Sequence, residues 1–236
     1  MEGKDIQSFE INWKNRWLKY GDNLAAKREA SLFEGERILV RRIVGERLIG
    51  AYTNEDYITS QLLQIVKPHK PEIAKELLGI LNSALMAYYF RKKYNRQEKT
   101  FPEIRIYELE SLPIKLSDNQ EISNKVDKLI DVNSKLKGLS EVFLSVVRSE
   151  LKVEKINEKL ENWYKMSFEG FVSEVKKQKG GFKDLAQQME WQGFFKENQL
   201  KAVALKEQIN QTNAEIDEMV FGLYGLSAEE IAIVRG

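Results

Sequence analysis

The spacing of apolar residues in the second half of the chain is the feature that most restricts its fold. From about residue 118 onward, apolar side chains recur at alternating steps of four and three, which places them on one side of an α-helix. One stripe covers residues 122–147 and the other covers residues 205–223. Because a segment with its own amphipathic pieces, residues 150–192, separates the stripes, we predict a long antiparallel helical hairpin resembling a coiled coil, with a small helical insert.

Residues 1–116 follow a different pattern. β-branched and aromatic runs separated by turn residues predict a β-meander. Pro71 fits the first turn of a helix whose apolar spacing continues to Tyr89, and alternation over residues 101–107 predicts a further strand. The expected fold class is α+β, with a mixed α/β domain at residues 1–116 and a helical spacer domain at residues 117–236. The predicted meander strands are residues 38–44, 48–52, 57–59 and 62–66.

Charge is distributed unevenly along the chain. The formal net charge is +1, yet residues 1–116 carry 20 basic and 16 acidic side chains, against 17 and 20 in the remainder. Basic residues concentrate in two windows, residues 37–47 and 91–105, and both contain or adjoin aromatic residues. Such a surface suits nucleic acid, because Lys and Arg displace counterions from phosphates while planar groups contact bases or sugars. The alternative is a solvated face above core aromatics.

Several kinds of chemistry are excluded by composition. The chain has no Cys and a single His69, which removes thiolate nucleophiles, disulfides and His-rich metal sites and leaves only carboxylate-based metal binding open. It also lacks a Gly-x-Gly or Gly-Lys-Ser/Thr phosphate loop. Glu174 and Lys176 have the Glu-x-Lys spacing of some metal nucleases, but this triplet arises easily by chance in a chain rich in both residues. The absence of a signal sequence or a long apolar stretch leads us to expect a cytoplasmic protein.

Taken in order, several strings resemble the TaqI-like C-terminal specificity domain of restriction-modification enzymes that methylate adenine N6. Similar strings continue into the insert and the C-terminal tail. No adjacent prolines occur, so the Asn-Pro-Pro-aromatic motif of amino-methyltransferases is absent and we expect no catalytic methyl transfer on this chain. The strings are Gly3-Lys-Asp-Ile with Trp17, Glu36-Arg-Ile-Leu-Val-Arg-Arg-Ile, Leu48-Ile-Gly-Ala-Tyr, Tyr57-Ile-Thr-Ser, Leu78-Gly-Ile-Leu-Asn-Ser, Phe101-Pro-Glu-Ile-Arg-Ile, Leu112-Pro-Ile, Leu160-Glu-Asn-Trp-Tyr and Ile216-Asp-Glu-Met-Val-Phe-Gly-Leu-Tyr.

The resemblance implies a target-recognition domain followed by a helical spacer, similar in plan to half of a type I specificity subunit. It further implies two partners, double-stranded DNA and a methyltransferase catalytic domain or subunit, with S-adenosylmethionine as the cofactor of that catalytic part. No cofactor is expected on this chain itself. The sequence leaves open whether the chain is part of a longer enzyme or a separate specificity polypeptide.

In the family plan, the loop after the aromatic-ended helix faces DNA, and here it covers residues 91–100. Arg96, Gln97 and Lys99 are the first candidates for base contacts, because Arg reads guanine and Gln reads adenine in bidentate fashion. Arg41 and Arg42 should point to opposite faces of a strand, so that at most one faces DNA and the other pairs with an acid. The full set of candidate DNA-binding residues is Arg41, Arg42, Arg47, Tyr57, Thr59, Ser60, Gln61, Arg91, Lys92, Lys93, Arg96, Gln97, Lys99 and Thr100.

Three other residues are expected to be structural. Trp163 and Trp191 should anchor the core of the helical half, and Asn82 should make a hydrogen bond within or at the end of its helix. A rival hypothesis, from another class of function, is a coiled-coil interaction scaffold that binds a protein partner and no nucleic acid.

Overall fold

A computed structural model describes residues 1–17, 19–24, 27–94 and 103–236. The chain divides into two compact units. The first unit combines residues 1–130 with residues 212–236, and the second comprises residues 131–211. The expected α+β class is confirmed, since small antiparallel sheets occur together with long helices.

The first unit contains a three-stranded antiparallel sheet of β3 (Arg37–Arg41), β4 (Gly50–Thr53) and β5 (Leu63–Val66). A short hairpin of β1 (Ile6–Gln7) and β2 (Glu10–Ile11) precedes it. The sheet order is β4-β3-β5, so the predicted meander is wrong: β4 and β5 both pair with β3 and lie at opposite edges.

The central position of β3 follows from its sequence. Ile38, Leu39 and Val40 form an uninterrupted apolar run, and all three are almost completely buried. Such a run suits a strand covered on both faces. Leu39 belongs to a buried cluster with Ile6 of β1, whereas Ile38 belongs to the face on which the next helix packs. The residues predicted as a separate strand, 57–59, form no strand and lie in the connection from β4 to β5.

The helix predicted from Pro71 to Tyr89 is interrupted. A 3-10 turn (Pro71–Ile73) leads into α1 (Ala74–Leu81), and α2 (Ala84–Tyr94) begins after a break at Asn82 and Ser83. The break has a physical cause, because the Asn82 side chain binds the backbone of β4 and the Ser83 hydroxyl accepts from the N–H of Met86 at the start of α2.

The strand predicted for residues 101–107 is wrong where the structure describes it. Residues 106 and 107 begin α3 (Ile106–Glu110), and only an isolated antiparallel bridge joins Glu103 to Ile43. The Glu108 carboxylate accepts from the backbone N–H of Arg105 at 2.8 Å, and this cap starts a helix rather than a strand.

The first unit is completed by the beginning of α4 (Glu121–Glu150), the end of α7 (Leu185–Tyr224) and α8 (Ala228–Arg235). An ion pair of 2.7 Å joins Lys125, early in α4, to Glu215, late in α7. Gly79 of α1 allows close packing here, because a Cβ at this position would lie 2.7 Å from the side chain of Ile122. The Asn119 side chain accepts from the N–H of Glu121, the first residue of α4.

The second unit is built around aromatic side chains. Its short helices are α5 (Glu158–Glu161) and α6 (Phe168–Lys177). Phe143, late in α4, stacks on Trp163 at 3.7 Å and contacts Trp191, early in α7, at 6.3 Å. Trp163 and Trp191 are buried, as expected for core anchors. In this unit the end of α4 contacts the start of α7, and in the first unit the start of α4 contacts the end of α7. These contacts confirm the predicted antiparallel helical pair.

Both long helices exceed the length suggested by their stripes. Helix α4 has 30 residues and α7 has 40, so the insert ends before Leu185 rather than at residue 192. Among the described residues, none of the helices combines the length and apolar character that crossing a lipid bilayer requires.

Candidate nucleic-acid interface

Three segments of the first unit meet at one end of its main sheet. The backbone N–H of Arg42, just after β3, donates to Leu62 O at 2.9 Å, just before β5. The N–H of Ile104 donates to Arg42 O at 2.8 Å, and the Gln64 side chain donates to Ile104 O. The end of β3, the start of β5 and the segment that follows the predicted recognition loop are therefore held together by backbone hydrogen bonds.

Arg41 and Arg42 differ in environment, as their adjacent positions predict. Arg42 forms an ion pair with Glu103, with Nη2 3.0 Å from Oε2, and its side chain remains 40% exposed. Arg41 is half-buried, and its Nε has no hydrogen-bond partner among the described residues. Arg42 is thus the member of the pair that binds an acid.

Arg47 is held by a bidentate ion pair. Its two terminal nitrogens donate to the carboxylate of Asp217 in α7 at 3.1 and 2.7 Å. The same carboxylate accepts from the N–H of Ala84, the first residue of α2. Arg47 therefore joins the loop after β3 to two helices of the same unit, and its proposed contact with DNA competes with these bonds.

Arg91, Lys92 and Lys93 lie together in the last turn of α2. Arg91 donates to Glu46 O at 3.0 Å. Lys92 and Lys93 are exposed, and Lys93 donates to the Tyr89 hydroxyl, a bond that raises the pKa of Lys93 and keeps it charged. Basic residues at this position also complement the helix dipole, which explains them without any ligand.

The predicted loop itself falls largely outside the described residues, including Arg96, Gln97, Lys99 and Thr100. Its two ends are described. The loop prediction is wrong for residues 91–94, which form the end of α2. The Tyr94 hydroxyl, at the end of α2, shares a hydrogen bond with Ser111, and Glu103 bridges to Ile43. Tyr94 and Glu103, the described residues on either side of residues 95–102, therefore contact Ser111 after α3 and Ile43 after β3.

The candidate DNA-binding residues between β4 and β5 differ in how far they are buried. Tyr57 is half-buried and packs 5.4 Å from Trp13. Thr59 is 5% exposed and accepts from Arg28, while the Ser60 hydroxyl accepts from the N–H of Leu62. Gln61 is exposed and adjoins the meeting point of the three segments. Of these four, Gln61 is the one with a side chain open to a ligand.

Sequence reasoning missed three exposed residues that adjoin this site. Ile106 and Tyr107 are 64% and 56% exposed on α3, and the preceding Arg105 is exposed as well. They were overlooked because a strand prediction would bury every second side chain, whereas α3 presents both apolar residues to solvent. Their order along the chain, one basic and two large apolar residues directly after a basic loop, is the signal that could have identified them.

Glu174, the acid of the Glu-x-Lys triplet, makes contacts that are typical of a structural residue. Glu174 is buried and accepts from the Asn157 side chain at 2.7 Å, with Lys177 at 3.5 Å. The hydrogen bond from Asn157 lowers the pKa of Glu174 below its usual value. No group of acidic residues or His within the described residues has the arrangement of a metal site.

Comparison with known protein families gives two adjacent matches. Residues 1–114 match the TaqI-like C-terminal specificity domain. The family predicted from the sequence is therefore confirmed for this part of the chain. The specificity-domain match contains β1–β5, α1–α3 and all candidate DNA-binding residues. Residues 115–220 match a second family, described as a domain of unknown function, DUF8810.

A curated relative comes from Methanocaldococcus jannaschii, where it carries the provisional name of a type II restriction enzyme and methyltransferase. The two sequences are 32% identical over 125 residues, which cover 49% of this chain and 11% of the relative. This chain therefore corresponds to a small part of that protein.

Proposed function

We propose that this chain recognises a specific sequence in double-stranded DNA and thereby directs an adenine-N6 methyltransferase or restriction activity located outside the chain. The observation that carries the proposal is the match of residues 1–114 to a specificity domain. The geometry supports it, because Arg42, Gln61 and the segment from Glu103 into α3 adjoin one another at one end of the sheet.

We expect two kinds of contact with DNA, one to phosphates and one to base edges. Exposed cations, with Lys92 and Lys93 first among the described residues, would bind phosphates and set the position of the duplex. The polar loop residues would read base edges in the major groove, where each base pair presents a distinct pattern of donors and acceptors. Ile106 and Tyr107 would contact sugars or the thymine methyl group, because both side chains are large, apolar and exposed.

The reaction itself would belong to the partner. A catalytic domain that binds S-adenosylmethionine would extract the target adenine from the duplex and methylate it. This chain would contribute by fixing which adenine comes within reach, so no catalytic residue or cofactor is assigned to it.

Equilibrium binding to a fluorescent random-sequence duplex tests the DNA part of the proposal. We expect the logarithm of affinity to fall linearly with the logarithm of salt concentration. The Lys92→Ala/Lys93→Ala variant should bind more weakly, with a slope reduced by about 0.9 for each phosphate that its side chains no longer neutralise. The matched control, Lys155→Ala/Lys159→Ala, removes the same charge from exposed positions of the second unit and should behave like the parent chain.

The rival function, a protein-interaction scaffold, rests on the long antiparallel pair α4 and α7. It predicts no retention on DNA at about 50 mM salt and no difference between the two double variants. Either of these results would favour the scaffold and contradict the proposed DNA recognition.

A further inference from the structure

A cavity of about 330 Å³ in the first unit is not used by the proposed DNA contacts. It is open to solvent on one side and combines aromatic rings with acidic side chains. Its lining consists of Met1, Trp13, Arg16, Trp17, Glu55, Asp56, Tyr57 and Ile58.

Three aromatic rings form one wall of this cavity. The rings of Trp13 and Trp17 meet edge to face at 4.8 Å, and Trp13 lies 5.4 Å from Tyr57. Trp17 is 83% exposed, which is unusual for the largest apolar side chain in proteins. The ring of Trp17 therefore offers its surface to a ligand, with Trp13 and Tyr57 behind it.

The acidic side of the cavity is held in a fixed turn. The Thr53 hydroxyl accepts from the N–H of Glu55 at 3.0 Å, and the buried Arg37 donates to Glu55 O. Both Glu55 and Asp56 are exposed. Arg37 also interacts electrostatically with Asp56.

The cations in the lining are already engaged. Arg16 donates to Glu2 at 2.7 Å and to Asp5 at 2.9 Å, so its charge is balanced by two carboxylates. The Met1 amino group donates to Ile58 O, and burial lowers its pKa below 8.0. Because Arg16 is paired in this way, Glu55 and Asp56 give the lining its acidic character.

We propose that this cavity is a docking site for an Arg or Lys side chain of a protein partner. A cation over the face of Trp is attracted by the ring, and a carboxylate opposite it adds a charge-assisted hydrogen bond. The same carboxylates repel phosphates, so the cavity is unsuited to the DNA backbone. Tyr57, a candidate DNA contact in the sequence, belongs to this site instead.

A titration with small probes tests the proposal without DNA. The probes are N-acetyl-arginine amide and its neutral isostere, N-acetyl-citrulline amide, added at pH 8.5 and constant ionic strength to the ¹⁵N-labelled chain. We expect the indole signals of Trp13 and Trp17 to shift saturably with the arginine probe at millimolar concentrations, whereas those of Trp163 and Trp191 stay unchanged. The citrulline probe should produce no saturable shift.

Two variants make the test decisive. Trp17→Ala removes a ring that is 83% exposed, so we expect the fold to be kept, and Glu55→Gln/Asp56→Asn removes the charge. Each should raise the dissociation constant for the arginine probe at least about fivefold. The control Glu190→Gln/Glu207→Gln changes two exposed acids of the second unit and should leave it unaltered.

Other results would overturn the proposal. These are an equal response to citrulline, an unchanged dissociation constant in Glu55→Gln/Asp56→Asn, or no response of Trp13 and Trp17 to the arginine probe. A saturable shift of the same two signals by deoxyadenosine monophosphate would instead assign the cavity to a nucleotide. Because no duplex is present, these outcomes are independent of whether the chain recognises DNA.

Discussion

Asn82 connects the break between α1 and α2 to the edge strand β4 of the main sheet. Its Nδ2 donates to Gly50 O at 2.9 Å, and its Oδ1 accepts from Gly50 N at 2.8 Å. The side chain is 2% exposed, and Gly50 O also accepts from the N–H of Phe9 at 2.9 Å, so the two buried polar groups of Gly50 are both satisfied.

Replacing Asn82 by Ala should leave the N–H of Gly50 buried and unpaired, while Gly50 O keeps the bond that it accepts from the N–H of Phe9. We expect a loss of about 1–3 kcal/mol in the free energy of unfolding, the usual cost of one unpaired buried group. Denaturant unfolding followed by circular dichroism measures this. The control Asn124→Ala, at an exposed position of α4, should change the free energy by less than about 0.5 kcal/mol. Equal losses in the two variants would contradict the structural role given to Asn82.

For single residues, the sequence predicted the role of the side chain but not the residue to which it binds. It predicted that Asn82 is structural and that one of Arg41 and Arg42 binds an acid. The partner of Asn82, Gly50, is 32 positions away in the chain, and the partner of Arg42, Glu103, is 61 positions away. Long-range pairing depends on the tertiary fold, which periodicity does not encode.

At the level of elements, the Arg47–Asp217 pair fastens α7 to the loop after β3 and to the start of α2. Asp217 is 10% exposed and Arg47 is 40% exposed at the side chain. The pair is therefore shielded on one side and screened by solvent on the other, so it should be stronger than a surface ion pair and weaker than a fully buried one.

A double-mutant cycle with Arg47→Ala and Asp217→Ala measures this strength. We expect a coupling free energy of about 1–2 kcal/mol, compared with at most about 0.5 kcal/mol for the exposed i,i+4 pair Asp131–Lys135. If the Arg47–Asp217 and Asp131–Lys135 cycles give equal coupling free energies, Arg47 does not hold these elements together and is free to contact DNA.

The second unit contains a carboxylate that makes its stability depend on pH. Because the hydrogen bond from Asn157 lowers the pKa of Glu174 below 4.5, the charged form stabilises the folded state. This contribution is complete above pH 4.5 and is lost as the pH falls through the lowered pKa of the folded state.

We therefore expect the denaturant midpoint of Glu174→Gln to lie below that of the parent chain near neutral pH and to approach it under acid conditions. The indole signals of Trp163 and Trp191 report unfolding of this unit. Asn157→Ala should reduce the pH dependence too, because it removes the main cause of the shift. A midpoint difference that is constant from about pH 7 to about pH 3 would contradict this assignment.

The elements themselves were predictable to different extents. The long helices α4 and α7 follow from a repeat sustained over many turns, and both were found. The strand predicted at residues 101–107 rested on a short alternation, and the cap provided by Glu108 favoured α3 instead. The order β4-β3-β5 was missed because sequence neighbours were assumed to pair, whereas the apolar run of β3 required the central position.

At the scale of the whole molecule, the near-zero net charge hides an uneven distribution of charge along the chain. The basic half of the chain is the half that matches a specificity domain, and the acidic half matches a family of unknown function. The division into domains at residue 116 and the DNA contacts of the recognition loop stay predictions.

The most direct test of DNA recognition is selection of bound duplexes from a randomised pool at moderate salt. The parent chain is compared with Arg96→Ala/Lys99→Ala and with the control Lys155→Ala/Lys159→Ala. We predict that the parent chain and the control enrich one common motif, and that the loop variant loses it or relaxes it at defined positions. Absence of an enriched motif with the parent chain, or the same motif from the loop variant, would contradict sequence readout by this loop.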